Sequence, residues 1–305
     1  MRISTLTFAT AALQGIQNEQ AAIARLSQQI TSGKRVLASK DDPAASAQII
    51  FLGERIAQRE QYLINQDRAE SALRSQMTVL AEIRRTLQHA RQLLTSVSPD
   101  HELALRQQHA VMLMGDYLHL KGLLNARDPE GNYLFAGHQT DIMPFIHTQM
   151  APGPGVSPNS TYMGDSGERT VTIAEGRSIQ INALLIDVAD AGLPNDLMQG
   201  LDQVAIDLRQ PVLTQAQLDT AITRLDAALS ALGEVEQRSA GALQEVIDAR
   251  ATTRALLNQE RDALARLSEL DQAAAIVELQ RRQVTLEAAQ RAHARIAGLS
   301  LFNYL

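Results

Sequence analysis

Residues 232–270 read LGEVEQRSAGALQEVIDARATTRALLNQERDALARLSEL, and this segment contains the longest periodic series in the chain. Residues recur in it at alternating intervals of three and four, most of them apolar and a few polar, such as Ser239 and Glu260. That spacing places every member along one side of an α-helix, as in the seam of a coiled coil. The series is Leu232, Val235, Ser239, Ala242, Val246, Ala249, Thr253, Leu256, Glu260, Ala263, Leu267 and Leu270. It predicts one long helix that packs against others along its whole length.

A second series of the same kind lies upstream. It consists of Leu73, Met77, Leu80, Ile83, Leu87, Ala90, Leu94 and Val97. Asp42-Pro43 predicts where this helical region begins, because Asp caps helix N-termini and Pro fits the first helical position. Ser98-Pro99 ends it. A helix over the whole interval would be very long, so we expect a break near Gln58–Leu63.

Both ends of the chain also carry amphipathic helical patterns, which we interpret as packing between subunits. The N-terminal pattern stops at Ser32-Gly33, and both patterns contain polar positions, namely Gln20, Ser27, Gln283 and Gln290. Polar seam positions weaken a helix pair but help to select its partner. Packing within one ordinary bundle is the alternative. The predicted assembly interface is Leu6, Leu13, Ile16, Ile23, Ile30, Ile276, Leu279, Leu286, Leu299, Leu301, Phe302, Tyr304 and Leu305.

The middle of the chain has a different texture. Residues 132–193 hold most of the Gly and Pro clusters, and 170–173 and 178–181 alternate polar and apolar residues, as half-buried strands do. Residues 174–177, Ala-Glu-Gly-Arg, predict a hairpin turn between them. The fold class is therefore mainly α, an elongated helical coiled-coil bundle formed by both chain termini with a small inserted β-rich domain. The predicted divisions are 1–131, 132–193 and 194–305.

Composition restricts the function. Aromatic residues make up 3% of the 305 residues, which is unusual for an enzyme pocket. The net charge of −6 offers no basic surface for nucleic acid. Cysteine is absent, so disulfides and thiolate ligands are absent too. No apolar run reaches the ~18 residues of a membrane span, and the N-terminus lacks the apolar core of a cleavable signal peptide.

Candidate catalytic or metal-ligating residues are few. Asp116 and His119 are three apart and could share a helix face, which is the minimum for a metal pair. No second pair with ligand spacing and no His-Glu-x-x-His sequence accompanies them. Solvated or capping histidines are the simpler interpretation. We therefore expect no catalytic residues, no metal and no cofactor.

Short motifs distributed from end to end resemble the flagellin superfamily, and in particular its branch of hook–filament junction proteins. The motifs that carry this resemblance are Met1-Arg2-Ile3-Ser4-Thr5, Thr31-Ser32-Gly33-Lys34-Arg35-Val36, Asp41-Asp42-Pro43-Ala44-Ala45, Gln61-Tyr62, Arg68-Ala69-Glu70-Ser71, Tyr133-Leu134-Phe135-Ala136-Gly137, Pro144-Phe145, Tyr162-Met163-Gly164-Asp165 and Leu299-Ser300-Leu301-Phe302-Asn303-Tyr304-Leu305. Gln66 departs from the pattern, since an aliphatic residue is expected there.

The resemblance implies a structural adaptor rather than an enzyme. It implies secretion through the flagellar export apparatus with its chaperone, without a cleavable signal peptide, and localisation at the hook–filament junction. It implies hook-associated protein 1 (FlgK), flagellin and a ring of like subunits as partners, with no nucleic acid and no membrane. Two alternatives stay open: a minor flagellin that polymerises by itself, and a β-domain that binds or cleaves a ligand on helical stalks.

Overall fold

A computed structural model describes residues 2–148, 159–183 and 193–302, and the fold is mainly α. The elements follow the chain in the order α1 (Arg2–Ser32), α2 (Pro43–Thr95), α3 (Leu103–Leu124), β1 (Phe145–Thr148), β2 (Asn159–Tyr162), β3 (Thr170–Ala174), β4 (Arg177–Gln180), α4 (Leu193–Asp207), α5 (Gln215–Ser268) and α6 (Gln272–Phe302). They form two compact units, one of residues Met1–Gln58 with Ala255–Leu305 and the other of Arg59–Arg254. The predicted limits of the inserted domain, 132 and 193, stay a prediction.

Three helix ends lie where local chemistry predicts them. The Asp42 carboxylate accepts a hydrogen bond from the Ala45 backbone N–H at 3.0 Å, so it caps α2, and this bond holds the pKa of Asp42 below its usual value. Gly33 has a φ of 67° directly after α1, a conformation that favours glycine. Thr214 and Gln217 exchange the two hydrogen bonds of a capping box at the start of α5, at 3.4 and 2.9 Å.

The break expected near Gln58–Leu63 is wrong, because α2 continues from Pro43 to Thr95. The six residues of that interval are Gln, Arg, Glu, Gln, Tyr and Leu, with neither Gly nor Pro among them. Most of these residues have high helix propensity, so nothing in the local sequence ends the helix.

Buried polar residues of α2 and α5 pair with one another along the predicted seam. In the unit Arg59–Arg254, the Gln76 side-chain amide donates to the Ser239 hydroxyl at 2.7 Å, and that of Gln66 donates to the Thr253 hydroxyl at 3.0 Å. All four residues are buried. Rising numbers on α2 meet falling numbers on α5, so the helices run antiparallel. A shift by one heptad would separate these pairs, so they specify the register.

The main apolar core lies in the same unit and is shared by four helices. Leu80 and Leu87 of α2, Leu113 of α3, Leu201 of α4 and Leu225 of α5 all belong to it. The mid-chain segment contributes to this core as well, through residues such as Leu134, Phe135 and Phe145. Strand β1 is therefore held by the apolar contacts of Phe145 with the helices as well as by its ladder with β2.

The hairpin of β3 and β4 is confirmed, with Gly176 at a φ of 66° in its turn. Its register shifts between Thr172 and Ala174. At this irregularity the side chains of Asn65 and Gln66 donate to the carbonyls of Thr172 and Ile173, at 2.8 and 2.7 Å. Gln66, which departs from the expected aliphatic residue, therefore attaches the hairpin to α2.

Two of the sequence motifs meet beside the β1–β2 ladder. The Asp165 carboxylate accepts hydrogen bonds from the backbone N–H groups of His138 and Gly167, at 2.7 and 2.9 Å, and these bonds hold its pKa below the usual value. Gly137 has a φ of 73°, and a Cβ there would lie 1.9 Å from an Asp165 carboxylate oxygen. Burial raises the pKa of Tyr162 to about 12, and its hydroxyl donates to the Phe135 carbonyl at 2.9 Å.

Candidate assembly surface

The terminal helices are joined at one end by two short segments that pair like strands. The Arg35 N–H donates to the Ser268 carbonyl at 2.8 Å, and the Leu270 N–H donates to the Gly33 carbonyl at 3.0 Å. The Arg35 guanidinium also donates to the Leu267 carbonyl at 3.1 Å. These bonds connect the turn after α1 with the turn before α6, so α1 ends and α6 begins at a common anchor and the two helices run antiparallel.

Along α1 the half-buried side is a stripe with heptad spacing. It contains Ala12, Ile16, Glu19, Ala22, Ile23, Leu26, Gln29 and Ile30. Glu19 forms an ion pair with Arg282 of α6 at 3.3 Å, and Arg282 forms a second one with Glu278 at 2.9 Å. The contact between the terminal helices therefore includes a charged network that neither apolar series predicts.

Helix α6 has apolar residues on more than one side, and only one of these sides is covered. Ala275 is buried and Leu279, Leu286 and Ala289 are half-buried, and these positions follow one heptad stripe. Val277 and Val284, seven residues apart on another side of the helix, have exposed fractions of 66% and 69%. α6 therefore carries a second apolar stripe that α1 does not cover.

The predicted interface residues fall into four groups. Ile16, Ile23, Ile30, Leu279 and Leu286 are half-buried in the contact between α1 and α6. Leu13 and Ile276 are exposed. Leu6, Leu299, Leu301 and Phe302 lie on α1 and α6, which places the segment from Gly298 to Phe302 on a helix; Tyr304 and Leu305 lie outside the described residues. The use of all these residues in assembly stays a prediction.

The polar positions that the sequence places in the terminal seams share one property in the structure. Gln20, Ser27, Gln283 and Gln290 are all exposed, so the contact within the chain does not use them. The sequence predicted Gln20 and Ser27 in one seam with Ile16 and Ile23, and Gln283 and Gln290 in the C-terminal seam with Leu279 and Leu286. It did not single out Val277 and Val284 as interface residues, although their seven-residue spacing and apolar character were the available signal.

Asp116 and His119 do not form a metal pair with each other. The His89 ring nitrogen Nδ1 lies 2.7 Å from the Asp116 carboxylate, and His119 Nε2 lies 3.6 Å from the carboxylate of Glu82. Both contacts join α3 to α2. Among residues 2–148, 159–183 and 193–302, no three His, Cys, Asp or Glu side chains are grouped as metal ligands. No helix in these ranges is long and apolar enough to cross a membrane.

The fold and this surface define a mainly α structural protein whose two terminal helices pair with each other and still present apolar residues to solvent. Residues 3–140 match the family model described as the bacterial flagellin N-terminal helical region. The motifs near both ends and in the middle of the chain agree with that match. The chain is therefore similar to the flagellin superfamily, and it is a flagellar component.

Two relatives are similar over nearly the entire chain. The flagellar hook-associated protein 3 of Escherichia coli is 27% identical over 99% of both chains, and that of Salmonella typhimurium is 26% identical over 99% of both. A crystal structure of flagellar hook-associated protein 3 from Legionella pneumophila has a TM-score of 0.64 at 15% identity, and the match covers 72% of this chain and 98% of that one. The structural similarity shows that the two chains share a fold.

Proposed function

We propose that this chain is the adaptor that joins the flagellar hook to the flagellin filament. In this function one surface contacts hook-associated protein 1 and another contacts flagellin, and copies of the chain form a ring. It performs no catalysis and binds no cofactor. It leaves the cell through the flagellar export apparatus, with a chaperone.

One observation carries the proposal: the similarity to hook-associated protein 3 runs from end to end. A second observation supports it, because the terminal helices keep apolar residues exposed. An adaptor needs surface for its neighbours after its own fold is complete. Val277 and Val284 on α6 and Leu13 on α1 are such surface, because they stay exposed when α1 and α6 are paired. Burying them against neighbours would contribute about 25 cal/mol per Å² of apolar area.

The test is complementation of a deletion strain. Cells that lack the chain should build hooks and release flagellin into the medium, and the full-length chain should restore filaments and swimming. Val277→Asp with Val284→Asp should abolish rescue while the purified variant melts normally, because both side chains are exposed in the folded chain. The matched control is Glu287→Asp, a change at an exposed position of the same helix. Full rescue by the double variant would refute the use of this stripe.

A seeding experiment separates the adaptor from a minor flagellin. Purified chain at high salt with filament seeds should not elongate them, because the adaptor stops at a ring. Flagellin in the same assay is the positive control. Elongation by the purified chain alone would favour the minor-flagellin alternative.

A further inference from the structure

Helix α3 is apolar on two sides, and the core of its unit covers one of them. The covered side includes Leu113, Tyr117 and Leu120, which are buried. The outer side is a second heptad series whose members are all exposed, namely Ala104, Gln108, Val111, Gly115, Leu118 and Gly122. None of these six residues is charged. An uncharged side with exposed apolar residues that the fold leaves uncovered is suited to a partner.

The outer side of α3 has a definite shape. Val111 and Leu118 have exposed fractions of 65% and 59% and stand seven residues apart, with Met112 exposed beside them. No atom lies within 4 Å of the position that a Cβ would take at Gly115 or at Gly122. The large side chains therefore project as knobs, and the glycines let another backbone come close. We call Val111, Met112 and Leu118 the α3 ridge.

The same unit carries a groove of matching spacing. It has a volume of about 470 Å³ and lies between α2 and α5. Ala81 follows Leu80, a core residue, and therefore points about 100° away from it, so the groove opens on another side of α2 than the core. We call it the α2·α5 groove, and its lining residues are Met77, Ala81, Arg84, Gly233, Glu236, Gln237 and Ala240.

The lining of the groove includes the small residues Ala81, Gly233 and Ala240, and its two charged residues pair with each other. Gly233 and Ala240 stand seven residues apart on α5, as Val111 and Leu118 do on α3. Arg84 donates to Glu236 at 3.0 Å, so the two charged groups of the lining neutralise each other, and this contact raises the pKa of Arg84. Knobs at heptad spacing fit holes at the same spacing in helix packing.

We propose that the α3 ridge of one copy packs into the α2·α5 groove of the next copy of this chain. The ridge and the groove are different surfaces, so the contact is heterologous and continues from copy to copy into a ring or a helical array. Two chains that each carry a charge of −6 repel one another least where their surfaces are uncharged or balanced. The inference rests on the proposed function, because it requires an assembly of like subunits.

The contact area explains why such copies would separate in dilute solution. Helix α3 has 22 residues and is therefore about 33 Å long. A strip of about 10 Å width along it covers roughly 330 Å², less than half of the ~800 Å² per partner of a stable pair. One contact alone is weak, whereas a ring that holds each copy on both sides raises the effective concentration to the millimolar range.

Disulfide cross-linking tests the proposal. The natural chain has no cysteine, so every disulfide must come from the introduced residues. The full-length variant Leu118→Cys with Ala240→Cys is oxidised in isolated flagella and in a purified sample at about 1 mM. We expect a ladder of dimers, trimers and larger species on a non-reducing gel. Each single variant should give less than a tenth of this product. The matched control is Leu118→Cys with Ala227→Cys, which places an exposed cysteine on α5 away from the groove.

Two results would overturn the inference. Equal cross-linking in the control variant would show random collision. Dimers formed by Leu118→Cys alone, with no ladder in the double variant, would show that α3 pairs with α3 of another copy. Swimming is measured on the same cells before oxidation. Normal swimming without a ladder refutes only the ridge and groove, whereas failure of the unmodified chain to restore filaments refutes the proposed function.

Discussion

Replacing Gln76 by leucine tests whether buried polar pairs hold α2 and α5 together. Gln76 is buried, and both ends of its amide are used. Its nitrogen donates to the Ser239 hydroxyl at 2.7 Å, and its oxygen accepts from the Ala183 backbone N–H at 2.8 Å. Leucine has nearly the same size but can make neither bond. The change therefore removes polar contacts while it creates almost no cavity.

The expected loss follows from what the change leaves behind. The Ala183 N–H would stay in a buried site without its acceptor, which costs about 1–3 kcal/mol, and the lost bond to Ser239 is worth about 1 kcal/mol. Leucine recovers part of this through its own burial. We expect the free energy of unfolding to fall by about 2–3 kcal/mol. For a unit of this size that corresponds to a melting temperature lower by roughly 5–10 °C.

The assay is urea unfolding followed by circular dichroism at 222 nm. Gln88→Leu, at an exposed position of α2, is the control and should change stability by no more than about 0.5 kcal/mol. Ser239→Ala alone and the double variant complete a mutant cycle, in which we expect a coupling of about 1 kcal/mol. A Gln76→Leu protein as stable as the control would refute the reasoning.

Three further predictions concern other parts of the chain. Gly137→Ala should destabilise the protein by at least about 2 kcal/mol in urea unfolding, because the residue has a positive φ and its Cβ would meet Asp165; a wild-type midpoint would contradict this. The pKa of Asp165 is lowered in the fold, so its carboxylate stabilises the protein above the unfolded pKa of about 4 and this stabilisation is lost as the pH falls through the folded value. The Asp165→Asn variant should therefore melt at a lower temperature than the wild type at pH 7, and this difference in melting temperature should become smaller at pH 2–3. An equal difference at both pH values would refute the stabilising role of the Asp165 carboxylate. Truncation after Gly298 should leave the melting temperature within about 2 °C and abolish swimming, because we expect the removed residues to pack against neighbours; a much lower melting temperature would show instead that they dock on the chain itself.

The long-range pattern of the helices could be predicted from the sequence because heptad spacing is a local property. All twelve members of the series from Leu232 to Leu270 are buried or half-buried. The hairpin at β3 and β4 was equally local, since alternation and a glycine turn predict it. The break near Gln58–Leu63 was wrong because it came from an argument about helix length, whereas the residues themselves favour a continuous helix.

Pairings between distant residues could not be predicted in the same way. Gln66 appeared only as a departure from an expected aliphatic residue, because its partners Ile173 and Thr253 are 107 and 187 positions away. The contact of Glu19 with Arg282 has the same character. Periodicity states which side of a helix is covered, but it does not state which residue of another helix covers it.

The burial of polar seam positions distinguishes a seam that is fully packed within the chain from one that leaves surface for another subunit. Along α5, the polar members Ser239, Thr253 and Glu260 are buried, and each contacts a side chain of α2. Along the terminal helices, polar members such as Gln20 and Gln283 are exposed, next to apolar residues that are exposed as well. A polar residue costs stability in a seam unless it is matched. The matched positions therefore specify the register within the fold, and the exposed ones are free to specify the register against a neighbouring subunit. Substitutions at the two sets of polar positions should therefore have different effects. Those on α5 should lower the stability of the fold, whereas those on the terminal helices should impair assembly in a protein that melts normally.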